Sequence, residues 1–193
     1  MAVSGSSIAE LGNVFANEYD DFTRDCEVSL FLSHLSDYVK SVVDWDYVKH
    51  WALLFEFDNR SVVYEMTNPE GRKTSGKITP RWYHFDGSGL RSHLFDKYVK
   101  LGSVNTSPKV INGFARKHPM NGTEYHAKDN NCQEWAKFLL NQIDPKLWEA
   151  ANRNGIKTFK EEHESGCSGA KIANCKYKAD EEKVILHTYF FLF

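Results

Sequence analysis

Apolar residues in the early part of the chain recur at three- and four-residue intervals. Ile8, Leu11, Val14, Phe15, Tyr19 and Phe22 fall on one face of a helix. Val28, Phe31, Leu32, Leu35, Val39 and Val42 repeat the spacing, with Asp25 as the cap. The pattern predicts an N-terminal helical pair over 1–46, ahead of a domain over 47–193. From Tyr47 the period changes. Segments 48–57 and 61–67 are rich in β-branched and aromatic residues, and Asp58-Asn59-Arg60 joins them as a hairpin. Segment 73–85 reads as one or two further strands interrupted by Pro80, and 98–104 as another. Ser107-Pro108 opens a helix running to about Lys117, because proline is well tolerated at a first helical position.

A longer helix follows from Cys132. Asn131 is a suitable N-cap, Glu134 stands three residues on, and Trp135, Ala136, Leu139 and Ile143 recur at helical spacing. Pro145 to Asn154 predicts a short helix stopped by Gly155, 160–182 a loop, and 184–193 a closing strand. Helices, then strands, then helices with a last strand fit an α+β domain, an antiparallel sheet packed on helices, better than a regular βαβ wind.

The totals narrow the function classes. A chain of 193 residues suits one domain with at most a small appendage, and the formal charge of −2 gives no global basic field for nucleic acid. Four cysteines do not make a disulfide framework at this length. The start lacks the basic patch and apolar run of a secretory signal. No apolar stretch reaches the ~20 residues needed to span a bilayer. The expectation is a soluble, cytoplasmic protein without a transmembrane segment. Aromatic residues make up 14% of the chain, enough for a well-filled core or a lined cleft.

Candidate chemistry centres on Cys132. At the first residue of a helix the backbone amides point outward and the dipole is positive, which favours thiolate over thiol. Burial competes with this reading, since cysteine packs as a small apolar residue and Cys132 lies on the Trp135 side of the helix. Cys26 has similar credentials near the expected second helix, but no strand-borne histidine precedes it, and it reads as packing. His50 opens the strand His50-Trp51-Ala52-Leu53-Leu54-Phe55, sharing a face with Ala52 and Leu54. Its imidazole is either a strand-end group wetted by solvent or a general base for Cys132. His163, Cys167, Cys175 and His187 lack the paired spacing of a zinc site, so neither a metal nor a cofactor is expected. His93, His118 and His126 have no partner that the sequence identifies.

His50-Trp51-Ala52-Leu53, a hairpin, Tyr125, and then Asn131-Cys132-Gln133 at a helix start resemble the permuted papain-like thiol enzymes. The resemblance is to the lecithin:retinol acyltransferase and HRAS-like suppressor branch, related to NlpC-type peptidases, and covers about Tyr47 to Ile143. It implies a circularly permuted papain-like fold with Cys132 as nucleophile and His50 as base. It also implies a hydrolase or acyltransferase working through a thioester on an acyl-lipid or a peptide or isopeptide substrate. A related permuted group removes ubiquitin-like modifiers, which makes a thiol protease the enzymatic alternative. A binding module that kept the fold without catalysis is the other.

The branch carries a second histidine after a Val-Ile pair. Here Val62-Val63 leads to Tyr64 and then Glu65. Alignment favours Tyr64 as the group that orients His50, whereas chemistry favours the Glu65 carboxylate. A three-residue hairpin loop turns Tyr64 toward His50 and a two-residue loop turns Glu65, because a one-residue shift inverts the strand faces. The alignment sets Tyr64 as the expectation. The C-terminal membrane anchor frequent in the branch is not found in this sequence.

Overall fold

The computed structural model describes residues 20–33, 50–58, 60–67, 77–85, 97–126, 129–158 and 160–161. Five strands come first: β1 (Arg24–Ser33), β2 (His50–Phe57), β3 (Arg60–Thr67), β4 (Thr79–His84) and β5 (Lys97–Thr106). Three helices follow: α1 (Pro108–Arg116), α2 (Cys132–Ile143) and α3 (Pro145–Arg153). The strands form one sheet in the order β4-β3-β2-β1-β5, and every neighbouring pair is antiparallel. The expected α+β class, an antiparallel sheet packed on helices, is what these residues build.

The helix expected from Asp25 is instead strand β1. Cys26, Val28, Leu30 and Leu32 alternate onto the main core, while Phe31 joins a smaller cluster on the opposite face. A strand buried on both faces reads as a near-continuous apolar run, and such a run satisfies helical spacing by accident. Because β1 pairs with both β2 and β5, the boundary expected at 46/47 does not separate it from the sheet. The first expected helix lies outside the described residues up to 19, as do the remainder of the second beyond Ser33 and the closing strand.

The β2–β3 hairpin forms as expected, but Phe57 pairs with Arg60, so its loop is Asp58-Asn59 alone. Pro80 lies in β4, an edge strand, where a missing backbone donor is tolerated. Between β1 and β5 the register shifts at Val28/Ser29, leaving Leu101 as the extra residue of a bulge. Gly102 there has φ 140°, a conformation L side chains rarely adopt.

The helices cover one face of the sheet. Trp51, Leu53 and Phe55 of β2 and Val62 and Tyr64 of β3 pack with Trp135, Ala136, Leu139 and Leu140 of α2. Trp148 of α3 lies 6.2 Å from Trp51, ring to ring. The opposite face carries Phe31, Ala52, Leu54 and Val63, against which Tyr83 and Phe85 rest. No helix among the described residues is long and apolar enough to cross a membrane.

Candidate active site

The first turn of α2 is built by its cap. Asn131 is extended, and its Oδ1 accepts from the backbone amides of Gln133 (2.9 Å) and Glu134 (3.0 Å). Those bonds satisfy donors that a helix start otherwise leaves open. Asn131 is itself buried, so the turn is clamped rather than frayed. Cys132, the first residue of the helix, is a free thiol with 7% of its surface exposed. Trp135, one turn on, is fully buried and anchors the helix to the sheet.

His50 stands at the head of β2, its side chain 22% exposed. Two groups flank the imidazole. Nε2 lies 2.9 Å from Oε2 of Glu65, and the Cys132 side chain is near enough to act on the imidazole. Glu65 reaches His50 because Ala52 pairs with Glu65 across the hairpin, which sets the carboxylate on the Ala52 side of the sheet and diagonal to His50.

The electrostatics follow from these neighbours. Burial works against a charged imidazole, but the sulfur of Cys132 and then the Glu65 carboxylate outweigh it and lift His50 to about 10. Burial likewise works against a charged Glu65. The hydrogen bond to His50 and the charges of His50 and Arg81 overcome it and hold the carboxyl at about 2. The arrangement therefore favours a protonated imidazole beside the Glu65 carboxylate.

No known protein family, characterised protein or solved structure matches this chain.

The structure brings together two of the three expected site residues, Cys132 and His50. Tyr64 is the exception, and Glu65 takes the place expected for it. Tyr64 pairs with Leu53, so it points to the opposite face from Glu65, into the helix-covered core. There its hydroxyl donates to Oδ1 of Asn112 at 2.6 Å, and burial pushes the phenol far above its usual range. The reason for the correction is the loop: two residues rather than three set the register.

The other candidates resolve into packing. Cys26 is buried in β1, and burial raises its thiol to about 12. That is an inert cysteine, as expected. His118 is enclosed by Trp135 and Phe138. Tyr125 packs half-buried against the core, and His126 bridges Asn130 ahead of α2. His93, His163, Cys167, Cys175 and His187 lie outside the described residues. Among the described residues no cluster of His, Cys, Asp or Glu could hold a metal ion.

Sequence reasoning missed Arg81, whose Nε donates to Oε1 of Glu65 at 2.8 Å with a second bond from Nη2. The pair stands directly cross-strand, Glu65 opposite Arg81. Only the register between β3 and β4 gives that contact, and the chain between Thr67 and Thr79 carries no signal that fixes it.

Proposed function

We propose that the protein is a cysteine-dependent hydrolase or acyltransferase with a Cys132–His50–Glu65 triad on a permuted papain-like fold. One observation carries the reading: a single imidazole stands between the thiol at a helix start and a buried carboxylate. In that position a histidine can hold the thiol proton, leave the sulfur anionic, and return the proton to a leaving group. The order of histidine strand before cysteine helix supports the permuted reading.

In the first half-reaction the Cys132 thiolate attacks an ester or amide carbonyl and forms the C–S bond. The electron pair displaced onto oxygen is stabilised by the backbone amide of Cys132 and the positive end of α2. Asn131 Oδ1 engages the next two amides, which makes the Cys132 amide the first-turn donor suited to this task. Imidazolium then protonates the departing alcohol or amine as its bond to carbon breaks, leaving a thioester. In the second half-reaction neutral His50 takes a proton from water or an acceptor hydroxyl or amine, which attacks the thioester. Collapse expels thiolate and restores the pair.

Glu65 supplies what the branch's second histidine supplies, an acceptor for the far nitrogen. The missing histidine therefore no longer favours a non-catalytic binding module. Acyl-lipid and isopeptide substrates share the carbonyl chemistry of the site.

Replacement of Cys132 by Ala or Ser is expected to abolish thioester trapping by hydroxylamine-sensitive labelling, along with turnover of phospholipid and modifier–fluorophore conjugates. Turnover unchanged in Cys132→Ala would reject the reading.

A further inference from the structure

Glu65 is almost wholly buried, and its two oxygens are divided between different partners. Oε2 faces His50 Nε2. Oε1 is taken by Arg81, through Nε and Nη2 together. A carboxylate turns freely about its terminal bond unless both oxygens are held. The guanidinium is itself held: its carbon lies 5.2 Å from the centre of the Tyr83 ring, which backs it within the same strand. The chain of contacts runs from α2 through β2 and β3 to β4: Cys132, His50, Glu65, Arg81.

We propose that Arg81 is a positioning residue of this site: it fixes the Glu65 carboxylate so that one oxygen is always presented to His50, and it keeps that carboxylate charged. The inference rests on the reading of Cys132 and His50 as a catalytic pair. Arginine suits the task better than lysine, because its planar fork places two donors on one oxygen while an ammonium acts as a point charge. The charged groups facing Glu65 are His50 from β2 and Arg81 from β4. Cys132 from α2 faces His50 in turn, and Tyr83 lies against Arg81. Loss of Arg81 removes one of the two cations that oppose the burial of Glu65. The carboxyl then takes up a proton at a higher pH, and the thiolate–imidazolium pair loses its anionic support there.

The test is the pH profile of Cys132 alkylation by iodoacetamide in the full chain, read at the Cys132 peptide by mass spectrometry. In the unaltered protein, alkylation is expected well below the free-thiol value of ~8.5 and to fall away only on an acid limb. Arg81→Gln is expected to move that limb upward by about 1–2 pH units, the usual influence of a neighbouring opposite charge on a carboxyl. Arg81→Lys should recover part of the shift. In a Glu65→Gln background, Arg81→Gln should add nothing further. An unmoved limb in Arg81→Gln, or an additive effect in the Glu65→Gln background, overturns the role of Arg81 while leaving the Cys–His pair intact. Arg81 variants that do not fold at all, lysine included, make the residue structural and overturn it too. An unaltered protein whose Cys132 titrates near ~8.5 overturns the catalytic pair itself, and this inference with it.

Discussion

His50 and His118 carry the same side chain in opposite electrical states, and the neighbours explain both. His50 has the Cys132 sulfur and the Glu65 carboxylate as neighbours and is raised to about 10. His118 has neither. Its Nε2 faces the carbonyl of Trp135 at 3.1 Å, and its Nδ1 accepts the Met120 amide at 3.2 Å, so the proton sits on Nε2 and the ring is neutral. Burial lowers its pKa to about 4, with the Trp135 carbonyl pulling weakly the other way. A folded value below the unfolded ~6.5 gives stability that is complete above pH 6.5 and is lost as pH falls toward 4. Between pH 7 and pH 5 this one residue should cost about 2 kcal/mol. Urea denaturation at the two pH values checks it, with His118→Gln as the comparison. Glutamine can give and accept the same two bonds without titrating, so its loss should be smaller by that amount. His50 is shifted upward and contributes with the opposite sign, but equally in both proteins. From the sequence, His118 had no identified partner, since both of its hydrogen bonds go to backbone atoms, and the Trp135 carbonyl is brought near only by the fold. Glu65 and Tyr64 were both visible as candidates. Choosing between them needed to know whether Arg60 belongs to the loop or the strand, and nothing local to Asp58-Asn59-Arg60 decides that.

At the scale of elements, α2 was the most legible part of the chain and β1 the least, for one physical reason. The start of α2 is defined by local chemistry: a capping side chain and amides two and three residues away, all within a short stretch. Local rules therefore suffice, and α1 and α3 share the property through Ser107 and Asp144, each followed by proline. The identity of β1 is set by partners far along the chain, His50 to Phe57 on one side and Lys97 to Thr106 on the other. Its apolar residues serve two faces at once, so no single period marks them. The cap also carries a functional expectation. Asn131→Ala should cost about 1 kcal/mol of stability through the lost hydrogen bonds. It should lower the rate of Cys132 alkylation at neutral pH more than that loss alone explains, because the amides of Gln133 and Glu134 then lose their fixed acceptor and the first turn loosens beneath the sulfur. Asn131→Asp should restore the stability, since aspartate caps as well as asparagine, and its added negative charge near Sγ should keep alkylation depressed. Parallel urea and alkylation measurements on the two variants separate cap from charge.

The whole molecule ties the site to the strand that local patterning misassigned. β1 lies between β2 and β5, with Leu30 and Leu32 fully buried in the main core and Ser33 paired with His50. The head of β2 thus has β1 on one flank, while the Glu65 side chain of β3 reaches it from the other. The histidine is positioned by the sheet as a whole and not by the hairpin alone. An independent domain over 47–193 would keep β2, β3, β4, β5 and the helices without their central partner. Removing residues 1–46 should therefore expose the open edges of β2 and β5 and take several large apolar side chains out of the core. Each buried leucine contributes about 2–5 kcal/mol by truncation, and whole-domain stability is of order 5–15 kcal/mol, so the loss exceeds what the remainder can supply. The shortened chain is expected to give no cooperative urea transition and to lose alkylation of Cys132 below pH 7, because His50 is no longer held against the sulfur. Removing only residues 1–19, ahead of β1, leaves every described strand in place and gives the matched comparison. A cooperative transition and an acid-shifted Cys132 in the chain lacking 1–46 would mean that the sheet closes without β1, and that the imidazole is held by β3 and α2 alone.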